Sequence, residues 1–406
     1  MRSRAAAREA GMVAAERYIG VVERRARLAL RHRLAGQGKA ATPEEVAGAL
    51  VALHGTDPAT VYLAVGARLA DPSRTVEETE RALYEDRSLV RMHGMRHTVF
   101  VFPTALTAVV HASTGLAVAA RERAALLTHM AAAGAPDAAW LKEVEESALA
   151  ALARRGQATA AELARDEPRL KERFVYGAGK SYEGMHTVST RLLKVLGVEG
   201  KVVRGRPLGS WTSSQFRWAV APEHPELDGE RARAELLGRW LAACGPATEA
   251  DLKWWTGWRV TEVRRALSAI GARPVELDQG TGYVTRDDTG PVPEPDEPWA
   301  ALLPALDPTA MGWQGRDWYL APELRPALFD RSGNVGPTVW WNGRVIGGWA
   351  QRADGEIVWR ILDEEGVGRD THAAIEAAAE RLAGWVGTTR ITPRFRTPLE
   401  KELAAG

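Results

Sequence analysis

The sequence predicts an α+β chain: three successive helix–turn–helix–hairpin units, then a β-rich tail. Three observations predict it. One helix-start motif is written three times, hairpin signals follow the copies, and a proline-bearing acidic stretch separates them from a tail dominated by strand formers.

The repeated words are Ala41-Thr42-Pro43-Glu44-Glu45-Val46, Ala158-Thr159-Ala160-Ala161-Glu162-Leu163 and Ala247-Thr248-Glu249-Ala250-Asp251-Leu252. Each sets Thr at an N-cap with an acid three residues on. The hydroxyl accepts from the third helical amide and the acid reaches back to the cap. One such box marks a helix start; three in one chain suggest a repeated module.

Taken in order, the first copy predicts helices near Glu23–Leu34, Glu44–Leu53, Thr60–Leu69 and Thr75–Tyr84, then strands Leu89–His93 and Thr98–Phe102. The second predicts a helix over Asp137–Arg154, the cap at Thr159, a helix over Thr187–Leu196, and wing strands Lys201–Arg204 and Phe216–Val220. The third runs from Thr248 through a second helix over Arg259–Ile270. Strands at Pro274–Leu277 and Tyr283–Thr285 follow, with the turn placed at Gly280-Thr281-Gly282. Helix, tight turn, helix, hairpin is the layout of a winged helix-turn-helix. In the tail, Asn342-Gly343 between apolar strand formers predicts a hairpin, Trp349 and Trp359 continue the strands, and a helix closes over Thr371–Trp385. The boundaries predicted are 1–130, 131–228, 229–290 and 291–406.

Composition narrows the function. The chain of 406 residues carries 53 basic and 52 acidic residues, with 45% hydrophobic, so it reads as globular and ordered. Its single cysteine, Cys244, excludes a disulfide framework and fits a reducing, cytoplasmic setting. The longest stretch free of charge, His97 to Ala120, reads as strand and buried helix and not as a membrane span. Charge is uneven. Residues 1–36 hold nine arginines and three glutamates, and nine basic residues face three acidic ones between Pro168 and Arg206. Acid gathers later, at Asp287, Asp288, Glu294, Asp296 and Glu297. Basic patches on a near-neutral chain suit a nucleic-acid partner, or ordinary surface variation.

Several chemistries fail on spacing. Gly177-Ala178-Gly179-Lys180-Ser181 lacks the upstream glycine of a phosphate-binding loop, since position 174 is Phe. No Gly-x-Ser-x-Gly elbow occurs. His93 and His97 share a strand face if the strand continues, but no cysteine or nearby acid completes a metal set. No metal or other cofactor is expected.

The strongest lead is Leu53-His54-Gly55-Thr56-Asp57-Pro58, followed by Tyr62-Leu63-Ala64 and Ala67-Arg68-Leu69. With Leu89-Val90-Arg91-Met92, Met95-Arg96-His97-Thr98-Val99-Phe100, Leu303-Pro304-Ala305-Leu306-Asp307-Pro308 and Phe329-Asp330-Arg331-Ser332-Gly333-Asn334, it resembles the AlkZ/YcaQ family of bacterial DNA glycosylases from about Arg24 to Trp385. The resemblance implies three winged helices and a β-domain in a C-shaped clamp. It also implies removal of N7-alkylated purines from double-stranded DNA, bulky adducts and crosslinks among them, for repair or for resistance to a self-made antibiotic. A monofunctional enzyme is expected because Lys39 is the only lysine before residue 142, and a monomer because three modules in one chain make a clamp without a dimer. The family carries Gln-x-Gln or Gln-x-Asp at the catalytic position. Here His54 and Thr56 stand in place of the two polar residues, with Gly55 between them.

The chemistry survives that exchange. N7-alkylation makes the base a cationic leaving group, so the protein must stabilise an oxocarbenium-like sugar and place one water. Neutral His offers a donor and an acceptor, and Thr a hydroxyl that does both; His can also take the proton. His54, Thr56 and Asp57 are thus the catalytic candidates, and Gly55 would leave room beside the sugar. The other reading of the same residues is structural, with His54 ending one helix and Thr56 or Asp57 capping the next. Arg91, His93, Arg96 and His97 on the first wing, and Arg344 past the tail hairpin turn, are candidates for DNA contact, or plain surface charge. The rival functions are a non-catalytic winged-helix regulator and a ligand-sequestering protein.

Overall fold

A computed structural model describes residues 17–406. The basic stretch read over residues 1–36 lies partly outside the described residues. Its remainder is explained by a partner: in α1 (Val21–Arg31), Arg27 and Arg31 both grip Asp288 of the acidic linker, at 2.7 and 2.6 Å. Early base and late acid compensate each other in space.

The same order of elements recurs three times: a helix, a two-residue strand, a capped helix, a further helix and a hairpin. The first unit has α2 (Pro43–Leu50), β1 (Leu53–His54), α3 (Pro58–Gly66), α4 (Thr75–Glu80, prolonged by a wider turn to Glu85), β2 (Leu89–His93) and β3 (Val99–Pro103). Two helices, α5 (Thr104–Val110) and α6 (Leu116–Ala132), lead out of it. The second has α7 (Ala138–Arg155), β4 (Gln157–Ala158), α8 (Ala160–Asp166), an inserted hairpin β5 (Arg173–Tyr176) and β6 (Gly184–Thr187), α9 (Val188–Val198), β7 (Val202–Pro207) and β8 (Phe216–Val220). The third has α10 (Gly229–Cys244), β9 (Ala247–Thr248), α11 (Glu249–Thr256), α12 (Val260–Ala269), β10 (Arg273–Leu277) and β11 (Gly280–Val284). Each forms a three-stranded antiparallel sheet in which the short strand pairs with the second hairpin strand: β1-β3-β2, β4-β8-β7 and β9-β11-β10.

This order corrects the register of the repeat. All three Thr residues cap helices: Thr42 accepts from the Glu45 amide at 3.2 Å, Thr159 from Glu162 at 3.1 Å and Thr248 from Asp251 at 3.2 Å. Thr159 and Thr248, however, cap the helix after the short strand, whereas Thr42 caps the helix before it. The residue of the first unit that stands where Thr159 and Thr248 stand is Asp57, the cap of α3. The third hairpin also turns two residues early, at Asp278-Gln279, because Gly282 already pairs with Val275 in the ladder.

The tail is a four-stranded antiparallel sheet, β12 (Ala300–Leu303), β13 (Thr338–Trp341), β14 (Arg344–Gln351) and β15 (Ile357–Ile361), backed by α13 (Arg369–Val386) and α14 (Pro398–Ala405). Asn342 (φ 44°) and Gly343 (φ 81°) make the two-residue turn that the sequence predicts. One apolar core is confined to residues 126–218, the second unit. The two largest join the first unit to the third and to the tail. A fully buried ion pair bolts that junction: Arg68 donates to both carboxylate oxygens of Asp307, at 2.9 and 2.7 Å. No described helix is long and apolar enough to cross a membrane.

Candidate active site and nucleic-acid interface

The candidate loop, His54 to Asp57, joins a strand to a helix. His54 pairs with Phe100, which pairs with Met92; Leu53 pairs with Val101, which pairs with Arg91. Directly opposite residues share a face, so His54 shares its face with Phe100 and Met92, and Arg91 stands on the other with Leu53. The His54 ring meets Phe100 edge-on at 5.3 Å. It is buried, 7% exposed, and its Nδ1 has no hydrogen-bond partner. Burial, reinforced by the Arg96 charge, pushes its pKa down to about 4. At neutral pH it is therefore an uncharged imidazole.

Gly55 does not open space beside a sugar. A side chain there would stand 3.3 Å from the Phe100 backbone and 3.4 Å from Val99, so the missing Cβ lets β1 lie against β3. Thr56 is half-buried, and its carbonyl accepts from Arg394 Nη1 at a long 3.5 Å. Asp57 is buried. One carboxylate oxygen accepts from the Ala59 amide at 3.1 Å, capping α3, and the other from the Arg394 amide at 2.8 Å. Burial raises its pKa, and those two amides lessen the rise without cancelling it. Cap and loop lock thus coexist in one carboxylate.

Arg394 escaped the sequence reading because it lies 337 residues from Asp57. A signal was present: Arg390-Ile391-Thr392-Pro393-Arg394-Phe395-Arg396 carries three arginines in seven residues.

The five residues expected on DNA are placed unequally. Arg96 is exposed. It sits with His97 in left-handed backbone (φ 52° and 57°) at the turn between β2 and β3, its guanidinium over Trp254 at 4.1 Å. Gly257, also left-handed, admits it: a Cβ there would come within 3.1 Å of Arg96 Cγ. Arg316 lies over the same Trp254 ring, at 5.0 Å. His97 is half-buried and its Nδ1 lies 3.1 Å from Glu122. His93 is buried against Gly197 of the second unit, and burial followed by Arg204 lowers its pKa to about 3. Arg91 is buried as well. The expected exposed strand face is covered because β7 of the second unit packs against β2, a neighbour that the local sequence does not announce. Arg344 is held by Asp363 and by Glu365, the latter at 3.2 Å. His93 and His97 come together, rings 5.2 Å apart, but through the turn and not along one strand. Among the described residues no three His, Cys, Asp or Glu side chains converge as a metal set.

The site combines a neutral buried imidazole, a hydroxyl, a backbone-locked carboxylate and arginines on both faces of one small sheet. No curated protein sequence matches the chain. The solved structure of Streptomyces sahachiroi DNA glycosylase AlkZ is similar, with TM-score 0.68 and 21% identity over 93% of this chain and 99% of that one. The family model described as DNA glycosylase AlkZ-like matches residues 47–385, most of the chain and the whole of the His54 loop, and the protein thus belongs to the AlkZ-like DNA glycosylase family.

Proposed function

We propose that this protein hydrolyses the N-glycosidic bond of N7-alkylated guanine in double-stranded DNA, and that it acts as a monofunctional, monomeric, cytoplasmic glycosylase. The observation that carries the reading is His54: buried, uncharged at neutral pH, with a free Nδ1, on a loop locked from both sides by Asp57. In the proposed reaction the lesion's own positive charge drives departure of the base. His54 and Thr56 hold the attacking water, and His54 takes its proton as the C–O bond forms. An imidazolium would repel both the cationic base and the oxocarbenium, so depression of the His54 pKa serves the chemistry as well as the packing. Asp57 acts as a positioning residue, and its carboxylate adds negative potential near the developing cation.

The three repeated units are read as winged helices, forming with the tail a C-shaped clamp that holds the duplex by its backbone. Such grip spares the lesion from a closed base pocket, so bulky adducts and crosslinked guanines are candidate substrates, in repair or antibiotic self-resistance. Arg96, exposed on the first wing, is the foremost of the predicted DNA contacts, with His97 beside it. Arg344 would have to exchange its carboxylate partners for phosphate, and His93 serves better as packing.

The test is a panel of duplexes carrying N7-methylguanine, a bulky N7-guanine adduct, uracil or hypoxanthine, assayed for base release in single turnover. Release of an N7 adduct and not of uracil is expected. Efficient uracil release with neither N7 adduct touched would overturn the cation-driven mechanism.

A further inference from the structure

On the face of the first sheet opposite His54 lies a cluster of arginines that form no ion pair among the described residues. Arg91 is 6% exposed, and its Nε and Nη2 are buried without a hydrogen-bond partner. Arg204 of β7 presents a buried, unpartnered Nε, its guanidinium stacked over Phe216 at 4.5 Å. The buried hydroxyls of Tyr62 and Tyr84 find no partner beyond each other. A cavity of about 100 Å³ opens between the units, lined by Tyr84, Arg87, Arg91 and Arg204 among others. The pKa of Arg204, lowered first by burial and then by the charges of Arg91 and Arg394, falls to about 10. Asp57 is a carboxylate that feels Arg91 and Arg394, and its oxygens are already taken by two amides.

Buried polar atoms are nearly always satisfied, and a buried charge costs heavily unless paired. Arginine forks aimed into a small cavity match a tetrahedral oxyanion. We infer that Arg91 and Arg204, with the charge of Arg394 in reach of Arg204, bind one internucleotide phosphate of the DNA strand that threads past the His54–Asp57 loop. This rests on the DNA-glycosylase reading and gives it a register: the sugar to be cleaved is fixed by a phosphate held on the far side of the sheet from His54.

The experiment compares the parent with the double variant Arg91→Gln/Arg204→Gln in binding a lesion-bearing duplex between 50 and 200 mM salt. Each neutralised phosphate contributes about 0.9 to the slope of log K against log salt. Loss of one contact should therefore lower the slope by about 1 and shrink the parent's affinity lead about threefold across that range. A second measurement needs no variant. Duplexes with a single neutral methylphosphonate, stepped along the strand beside the lesion, should reveal one position that weakens binding by the parent; the double variant, if folded, should ignore it. An unchanged slope, or no such position, with duplex binding intact, would overturn the phosphate site and leave the glycosylase reading standing. Failure of the parent to bind duplex DNA would overturn that reading instead. Inorganic phosphate raising the parent's Tm over chloride of equal ionic strength, with the salt slope unchanged, would mark a free-anion site and also overturn the proposal.

Discussion

If His54 holds the attacking water in its neutral form, the rate of base release must follow the neutral fraction of that imidazole. A pKa of about 4 leaves about nine-tenths of it neutral at pH 5, whereas an ordinary imidazole near 6.5 would be only about 3% neutral there. Single-turnover release at pH 5 should thus stay close to its value at pH 7.5, where a solvent-exposed histidine would cost about thirtyfold. Below about pH 4 the rate should fall tenfold per unit. The assay is release of N7-methylguanine from a duplex, corrected for spontaneous depurination without enzyme, with circular dichroism at each pH to show the chain folded. A half-maximal rate near pH 6.5 in folded protein would refute the reasoning, because it would mean that His54 is solvated when it acts or that another group limits the rate.

The same site yields further expectations. His54→Ala should slow base release at least ~100-fold, with duplex affinity nearly unchanged, and His54→Gln should retain partial activity; single-turnover rates and binding titrations check both. Asp57→Ala removes the α3 cap and strands the Arg394 amide, which should cost about 2–4 kcal/mol in denaturant unfolding. Gly55→Ala forces a methyl onto the β3 backbone at 3.3 Å and should lower stability by about 1 kcal/mol or more, without widening the range of adducts accepted. His32, His54 and His93 have pKa values lowered to about 3, 4 and 3 by burial. The unfolded chain binds protons on them from about 6.5 downward while the folded chain does not. Stability should therefore be undiminished by these groups above pH 6.5 and decline steadily from there to about pH 3–4, read as a falling Tm.

Local chemistry was legible in the sequence; long-range neighbours were not. The capping boxes at Thr159 and Thr248 form with both reciprocal bonds, because Thr and an acid three residues apart need only each other. Asp251 shows where that reading stops. One of its oxygens caps, and the other accepts from the Gln314 and Gly315 amides more than sixty residues away. The equivalence of Asp57 with Thr159 and Thr248 was hidden because Thr42 spells the same motif one helix too early. The structural reading of the His54 loop was right in part: Asp57 caps α3 and the same carboxylate holds the loop, whereas His54 lies in β1 and ends no helix. The burial of Arg91 and His93 was invisible because it depends on β7, more than a hundred residues on, lying beside β2.

The bond between the Asp57 carboxylate and the Arg394 amide has a consequence for how the protein is made. Until residue 394 has been synthesised, the loop at 57 lacks one of the two donors that fix it, and Arg68 waits equally for Asp307. The first unit, though translated first, is completed last. A growing chain able to grip DNA through its early helices would do so without a finished site, so that base removal by a half-made enzyme would be prevented by the order of synthesis itself.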